Sequence, residues 1–141
     1  MQIGSSPFLE KYGPWALIAG ASEGLGEAFA RELAKRGLNL VLIARRKDVL
    51  AKTAKRITSQ YPVKVNLVLL DLADLSNLKK TIEDLEMEIG LLVYNAAYSP
   101  IGYFESISAE DLLKAIRVNV EAPLLLTKLL SVKMVDRKHG G

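Results

Sequence analysis

The sequence has no cysteine and only one histidine, His139, which stands close to its C-terminal end. Without cysteine, the chain cannot form a disulfide framework, supply a thiolate nucleophile or ligate zinc through sulfur. A lone histidine provides neither the several imidazole ligands of a histidine-based metal site nor a serine-histidine-aspartate triad. We therefore predict no metal site and no triad hydrolysis.

Long hydrophobic runs are also lacking. No apolar run approaches the roughly 18 residues that span a bilayer, and residues 1–10 show neither the basic nor the apolar region of a signal peptide. Lysine and arginine (19 residues) barely outnumber aspartate and glutamate (16 residues), and these charges are scattered along the chain. The sequence thus predicts a cytoplasmic protein with one domain over residues 1–141, no membrane span and no nucleic-acid partner.

Short apolar runs alternate with segments of helical periodicity. The runs at residues 15–19, 38–44, 63–70 and 91–97 have the near-continuous apolar character of strands buried on both faces. Amphipathic helices are predicted at residues 27–36, 48–60 and 75–88, and a long helical stretch follows Ser108, its expected cap. Within that stretch, Pro123 predicts a kink or a new segment near residues 119–121. The alternation predicts an α/β fold in which a parallel sheet lies between two layers of helices.

A glycine-rich turn joins the first predicted strand to the first predicted helix, and it contains Gly20, Gly24 and Gly26. The first glycine permits a tight turn, the second lets main-chain amides approach a pyrophosphate, and the third lets the helix pack closely. The helix N-terminus offers N–H groups and a partial positive charge to the phosphates. Such a triplet also fits a structural turn that binds nothing, but its strand-turn-helix context favours a Rossmann-type, doubly wound dinucleotide-binding sheet.

The end of the second predicted strand indicates which dinucleotide is bound. A site selective for NAD needs a carboxylate there for the adenosine ribose hydroxyls, and that carboxylate would repel a 2′-phosphate. Ala44 occupies this place, and Arg45 and Arg46 follow it. A guanidinium pairs with phosphate oxygens through a planar fork of donors, so we predict NADP as the cofactor, with Arg45 on its 2′-phosphate. The alternative is that both arginines are solvated loop charges.

The glycine spacing GxxxGxG, within the segment GPWALIAGASEGLG, resembles that of the short-chain dehydrogenase/reductase family, closest in its hydroxysteroid and 3-ketoacyl reductase-like branch. By this resemblance, Asp71 and Leu72 hold the adenine ring; the alternative is that Asp71 only caps the following turn. The segment Tyr-Asn-Ala-Ala at residues 94–97 is similar to a family segment, Asn-Asn-Ala-Gly, that lies beside the adenosine. The cofactor-binding residues predicted together are Gly20, Ser22, Glu23, Gly24, Leu25, Gly26, Arg45, Arg46, Asp71, Leu72, Asn95, Ala96 and Ala97.

The sequence departs from the family pattern at several of these positions. Ala19 replaces a threonine whose hydroxyl ties the turn to a neighbouring strand in relatives. Glu23 places an acid in the turn, where we expect it to point to solvent. Ala97 adds a methyl group where the family has glycine and the backbone approaches ribose.

Asn119, in Val-Asn-Val, matches a helix asparagine whose carbonyl region holds a water of the family's proton relay, and it is the one predicted catalytic residue. The family's catalytic serine and Tyr-x-x-x-Lys pair are not found, because no tyrosine here is followed by lysine four residues later. The resemblance implies that the chain is the N-terminal, cofactor-binding part of a longer domain, ending after the fourth strand and its helix. We expect the chain alone to be inactive.

In function, the resemblance implies hydride transfer between NADPH and a carbonyl or alcohol substrate, by a protein that is a homo-oligomer (dimer or tetramer) when complete. Two alternatives remain open: a non-catalytic NADP-binding or sensing module, and an inactive truncated product. An interaction protein of this fold would bind no NADP, and the glycine turn and Arg45 argue against it.

Overall fold

The computed structural model describes residues 6–141, and it begins with a helix that the sequence pattern does not indicate. Helix α1 (Pro7–Tyr12) is capped by Ser6, whose Oγ accepts a hydrogen bond from the Leu9 N–H at 3.2 Å. Pro7 stands in the first turn, where its missing N–H has no helical partner to lose. With 6 residues, the helix is too short to show a hydrophobic period.

Four parallel strands form one sheet in the order β3-β2-β1-β4. Ile18 of the central strand lies opposite Leu42 on one side and Val93 on the other. Parallel neighbours need crossover connections, which the helices supply, so the predicted Rossmann-type parallel sheet is confirmed. The strands are β1 (Trp15–Ala19), β2 (Asn39–Ala44), β3 (Val65–Leu69) and β4 (Ile89–Tyr94), and the crossover helices are α2 (Gly24–Lys35), α3 (Lys47–Gln60) and α4 (Leu75–Glu83).

The long helical stretch after β4 is divided into three pieces: α5 (Ala109–Ile116), a π-helical segment (Arg117–Glu121) and α6 (Ala122–Arg137). Ser108 caps α5, since its Oγ accepts a hydrogen bond from the Asp111 N–H at 3.1 Å. Pro123 has no N–H to donate to the Asn119 carbonyl one turn earlier, which explains why the α-helical ladder is interrupted there. The predicted cap and the predicted break are both confirmed.

Helices cover both faces of the sheet, because successive strand residues point to opposite sides and both sides are apolar. One core lies between the sheet and helices α2 and α3, and the other between the sheet and helices α4 and α6. The three predicted layers are therefore present. Residues of the first core include Ile18, Leu40, Leu42, Leu33, Leu50 and Ile57, and those of the second include Leu17, Val41, Ile43, Leu78, Ile82, Leu126 and Leu130.

Three predicted segments have a boundary that is wrong by three residues or more. Helix α2, predicted from residue 27, begins at Gly24, because its first turn consists of the glycine-rich residues that carry no apolar period. Helix α4, predicted over residues 75–88, ends at Glu83, and Leu85 and Met87 pack against the core from the loop that follows. Strand β4, predicted over residues 91–97, is Ile89–Tyr94, because its register with β1 ends where Tyr94 meets Ala19. The segment that begins at Asn95 therefore lies just beyond the strand, at the carboxyl end of the sheet.

The last residue of the chain meets the outer side of β4. The Gly141 N–H donates to the Gly90 carbonyl at 3.0 Å, and the Gly141 carbonyl accepts from the Leu92 N–H at 2.9 Å. Among residues 6–141, no helix combines the length and the apolar character that a membrane-spanning helix requires.

Candidate cofactor-binding site

The turn after β1 is tied to both neighbouring strands. The N–H groups of Gly20 and Ala21 donate to the Ile43 carbonyl of β2, at 2.9 and 3.3 Å. On the other side, Asn95 donates from its backbone N–H to the Ala19 carbonyl at 2.9 Å and from Nδ2 to the Gly20 carbonyl at 3.1 Å. These bonds anchor the turn without the hydroxyl that Ala19 lacks, and they account for a polar side chain at the apolar end of β4.

Close approach of backbones explains two of the three glycines. Gly20 has a φ of 82°, and a Cβ at this position would lie 2.6 Å from the Ala96 nitrogen. A Cβ at Gly26 would lie 2.9 Å from Asn95 Nδ2 and would overlap the Gly20 carbonyl. Gly24 differs, since a Cβ there would have nothing within 4 Å, and glycine serves instead to adopt a φ of 62°. No side chain fits at Gly20 or Gly26 without moving the turn.

A buried threonine supports this turn from α3, and the sequence pattern does not identify it. Thr53 is 0% exposed, and its Oγ1 donates to the Ser22 carbonyl at 3.0 Å. An ion pair of 2.8 Å between Arg56 and Glu27 joins the same two helices, α3 and α2. The only signal for Thr53 in the sequence is its position on the buried stripe of α3, one turn after Leu50.

The carboxyl ends of the strands open onto a cleft of about 290 Å³. It lies where the chain order reverses between β1 and β4, the place at which open α/β sheets bind ligands. Predicted cofactor-binding residues supply most of its lining: Gly20, Ser22, Glu23, Arg45, Arg46, Asp71, Leu72, Asn95, Ala96 and Ala97. The structure adds Leu70, Tyr98, Lys114 and Val118, which the sequence did not indicate. Ala44, which the sequence placed at the ribose end of the site, also lines the cleft.

Three predicted residues lie in the first turn of α2 rather than in the cleft lining: Gly24, Leu25 and Gly26. Leu25 is 64% exposed, whereas Gly26 is buried beneath the turn. The N-cap residue of α2, Glu23, makes no side-chain capping hydrogen bond. The first N–H groups of α2 therefore have no side-chain acceptor at the cap, which leaves them available to an anion.

The cations that line the cleft are Arg45, Arg46 and Lys114. Arg46 forms an ion pair with Glu23, which is exposed as expected but is not simply solvated. Lys114 Nζ lies 3.9 Å from Asp71 Oδ2. Arg45, in contrast, forms no ion pair with any residue between positions 6 and 141. Its guanidinium is therefore the lining cation that has no compensating carboxylate.

Asp71 has contacts of its own at the end of β3. Its Oδ1 accepts a hydrogen bond from the Ala73 N–H at 3.0 Å, so it does cap the following turn, as one interpretation of the sequence proposed. The carboxylate has about four lone-pair positions in all. The contacts with Ala73 and Lys114 thus leave it able to accept a further hydrogen bond from a ligand amine.

Tyr98 forms part of the cleft wall through a hydrogen-bonded group on α5. Its hydroxyl donates to Asp111 Oδ1 at 2.6 Å, and Ser108 Oγ donates to Asp111 Oδ2 at 2.7 Å. The hydrogen bond to Asp111 raises the pKa of the Tyr98 hydroxyl, while the positive charge of Arg45 opposes the shift. The bonds from Tyr98 and Ser108 lower the pKa of the Asp111 carboxyl. At neutral pH, Tyr98 is therefore a neutral phenol bound to a carboxylate.

Asn119 lies in the π-helical segment and faces the loop after β4. Its Oδ1 accepts from the Tyr98 N–H at 2.9 Å, and its Nδ2 donates to the Tyr98 carbonyl at 2.7 Å. The neighbouring Val118 carbonyl accepts from the Tyr94 hydroxyl, and burial raises the pKa of that hydroxyl to about 12. The π-helical segment is thus fastened to the end of β4 by side chains, with Asn119 beside the cleft rather than among its lining residues.

Comparison with known proteins extends this picture, since a family model described as short chain dehydrogenase matches residues 14–141. The chain belongs to the short-chain dehydrogenase family. This membership agrees with the glycine spacing, the strand order and the position of the cleft. The resemblance drawn from the sequence is thereby confirmed.

Individual relatives of this chain differ in their stated activity. It is 34% identical over 99% of its length to the inactive hydroxysteroid dehydrogenase-like protein 1 of Homo sapiens. It is 37% identical over 91% of its length to the very-long-chain 3-oxoacyl-CoA reductase of Anas platyrhynchos. The chain covers 44% and 43% of these proteins, so it spans less than half the length of the curated relatives it matches.

A solved structure gives the same match in three dimensions. The short-chain dehydrogenase from Sphingobium yanoikuyae, in complex with NADPH, superimposes with a TM-score of 0.83 and 32% sequence identity. The match covers 91% of this chain and 51% of the Sphingobium chain. The family is thus one of oxidoreductases, with members that bind NADPH and a member that is named as inactive.

Proposed function

We propose that this short-chain dehydrogenase binds NADP(H) in the cleft and, in the complete protein, supports hydride transfer between NADPH and a carbonyl or alcohol substrate. The observation that carries the proposal is Arg45, the uncompensated cation that follows Ala44 at the carboxyl end of β2. A 2′-phosphate would meet a guanidinium there, and no carboxylate occupies the position that recognises NAD. The NADPH complex of the Sphingobium relative supports the same assignment.

The other residues of the site would each contact a different part of the dinucleotide. The glycine turn and the uncapped N–H groups of α2 would hold the pyrophosphate, with Asn95 keeping the turn in place. Asp71 and Leu72 would hold the adenine, with the Asp71 carboxylate accepting from its amine. Ala96 and Ala97 would lie along the ribose, since both line the cleft beside Asn95.

When bound, the nicotinamide of the cofactor carries the hydride, and the chain's own residues position it and its surroundings. Asn119 holds the loop that contains Tyr98 through two hydrogen bonds. The main-chain carbonyl of Asn119 lacks its α-helical N–H donor, because the residue four positions later is Pro123. We propose that this carbonyl accepts a hydrogen bond from a water of a proton relay.

The test is a comparison of NADPH and NADH binding to the 141-residue chain by fluorescence titration. We expect tighter binding of NADPH, and Arg45→Ala should weaken it about 10- to 100-fold, because a charged hydrogen bond contributes about 1.5 to 3 kcal/mol. Binding of NADH should change less than about twofold, since it has no 2′-phosphate to lose contact with. Arg31→Ala, which removes an exposed arginine of α2 outside the cleft lining, is the matched control. Tighter binding of NADH, or no binding of either nucleotide, would overturn the proposal.

A second candidate is an NADP-binding module without catalysis. It is favoured by the human relative that is named as inactive. The two candidates differ in turnover. Oxidation of NADPH by the complete protein, with carbonyl substrates of graded size, supports the reductase, whereas tight binding of NADPH without oxidation supports the module.

Location and assembly are part of the proposal as well. We place the complete protein in the cytoplasm and expect it to be a homo-oligomer. Large apolar side chains are exposed along α5, the π-helical segment and α6, which supports association through these helices. They are Leu113, Ile116, Val120, Leu124, Val132 and Val135. Light scattering of the complete protein would show a single-chain mass if the expectation is wrong.

A further inference from the structure

An ion pair in the cleft lining joins the turn after β1 to the turn after β2. Glu23 Oε1 and Arg46 Nη2 are in contact, and both side chains are more than half exposed, at 66% and 57%. Glu23 is the N-cap residue of α2, after β1, and Arg46 is the N-cap residue of α3, after β2. Neither side chain makes a capping hydrogen bond, so their mutual contact is what orients them. The pair thus joins the phosphate turn to the arginine that follows Arg45.

We propose that the Glu23 carboxylate is an internal competitor of the cofactor's 2′-phosphate, so that it lowers the preference of the cleft for NADPH over NADH. The proposal rests on the proposed function, in which Arg45 meets that phosphate. It assigns to Glu23 a role in specificity rather than in catalysis. Glu23 lines the cleft together with both arginines, so its charge lies beside a ligand bound there.

The geometry of the two arginines carries the argument. Arg45 and Arg46 are consecutive residues and both line the cleft, so a phosphate held there by Arg45 lies close to Arg46 as well. Arg46 is paired with the Glu23 carboxylate. A 2′-phosphate must therefore displace the carboxylate from Arg46 or bind beside it. In both cases a negative charge of the protein opposes the phosphate, and NADH does not carry that group.

The size of the effect follows from the exposure of the pair. Exposed ion pairs contribute up to about 1 kcal/mol, which is a factor of about five in an equilibrium constant. Salt screens exposed charges over about 10 Å at 0.1 M ionic strength. The competition should accordingly be modest at low salt and weaker at high salt.

The opposite role for Glu23, in which it orients Arg46 toward the phosphate, predicts a result of the opposite sign. If the carboxylate oriented Arg46 for the phosphate, then its removal would weaken NADPH binding. The exposure of both side chains favours competition, because a solvated arginine reorients readily toward a dianionic phosphate once it is released.

The experiment measures NADPH and NADH affinity for Glu23→Gln in the 141-residue chain by fluorescence titration. We expect NADPH to bind about two to five times more tightly than to the wild type, with NADH changed less than about 1.5-fold. Glu32→Gln is the matched control, since Glu32 is an exposed glutamate of the same helix, paired with Arg36 at 3.1 Å and absent from the cleft lining. It should leave both affinities unchanged, and thermal unfolding verifies that both variants fold.

Two further measurements separate competition from a general charge effect. The gain in NADPH affinity from Glu23→Gln should shrink in an Arg46→Gln background, because no Arg46 guanidinium is left to release. The same gain should shrink in 0.5 M salt, where the Debye length is below about 10 Å. An unchanged or weaker NADPH affinity in Glu23→Gln overturns the inference, even where the wild type prefers NADPH. Absence of nucleotide binding by the wild type overturns both this inference and the proposed function.

Discussion

Asn95 Nδ2 donates a hydrogen bond to the Gly20 carbonyl at 3.1 Å, although 75 positions separate the two residues. The bond joins the carboxyl ends of β4 and β1, the two strands between which the order of the sheet reverses. Gly26 lies against both partners, because a Cβ there would approach Asn95 Nδ2 to 2.9 Å. The shape of the phosphate turn thus depends on a distant side chain as well as on its own glycines.

The first prediction concerns this bond. Asn95→Ala should lower the free energy of unfolding by about 1 kcal/mol, the usual contribution of one hydrogen bond, and should weaken binding of NADPH and NADH alike. Asn95→Asp should be worse for stability, because its carboxylate would face the Gly20 carbonyl with no proton to donate. Urea denaturation measures both variants, with Asn66→Ala on β3 as the control. Wild-type stability in both Asn95 variants would contradict the assigned contact.

The second prediction compares two glycines of the same turn. Gly26→Ala should lower the free energy of unfolding by about 1 to 3 kcal/mol, because the new methyl group overlaps the Gly20 carbonyl. Gly24→Ala should cost about 1 kcal/mol from its positive φ alone, since space around it is open. Denaturant unfolding of the two variants gives the order directly. A larger loss for Gly24→Ala than for Gly26→Ala would show that backbone conformation outweighs packing here.

The third prediction is a pH dependence at Tyr94. Its pKa is about 12 in the folded chain, above the value near 10.0 of a free tyrosine. A raised folded pKa means that the protonated phenol stabilises the folded state fully below about pH 10, and that this contribution is lost as the pH rises further. The stability difference between the wild type and Tyr94→Phe should therefore shrink as the pH rises above about 10.

Chemical denaturation at several pH values measures this difference in stability. Tyr98 is present in both the wild type and Tyr94→Phe, so its own ionisation affects both proteins alike. In an ultraviolet titration of the phenols, the absorbance step at the highest pH should be missing in Tyr94→Phe. A difference in stability that stays constant across the alkaline range would mean that Tyr94 ionises as freely as in the unfolded chain.

The fourth prediction concerns Asn119 and the loop after β4. Asn119→Ala removes both hydrogen bonds to the Tyr98 backbone, so the Tyr98 amide should exchange with deuterium faster and stability should fall by about 1 to 2 kcal/mol. Asn119→Asp retains an acceptor for the Tyr98 N–H, and exchange at that amide should stay slow. Fast exchange at Tyr98 in the wild type would contradict the observed pair of bonds.

Local patterns account for most of the element order. The Ser108 cap, the break before Pro123 and the apolar run of β1 all depend on residues close in sequence, and the structure confirms them. Helix α1 and the end of α4 were not predictable in this way. The first is too short to have a period, and in the second Leu85 continues the apolar spacing beyond the last helical turn, because it packs on the core from a loop.

The residues of the candidate site likewise fall into those that local sequence predicts and those that it does not. The glycine turn and Arg45 could be predicted because a phosphate turn and a strand end each lie within a few consecutive residues. Thr53 and Lys114 could not, since each reaches its partner from a separate helix: Thr53 contacts the Ser22 carbonyl, and Lys114 approaches Asp71. Nothing in the local sequence of either helix distinguishes such a residue from an ordinary helix position.

By itself, the sequence determined the fold class and the chemistry of the phosphate turn, because hydrophobic periods and glycine conformations are local properties of the chain. The tertiary structure decided which of the cleft arginines forms an ion pair and which does not. Arg45 and Arg46 carry the same charge at adjacent positions of the sequence, and only the approach of the turn after β1 pairs Arg46 with Glu23 and leaves Arg45 without a carboxylate. Ion pairing depends on distance in space, and the parallel sheet sets that distance by placing the ends of β1 and β2 side by side.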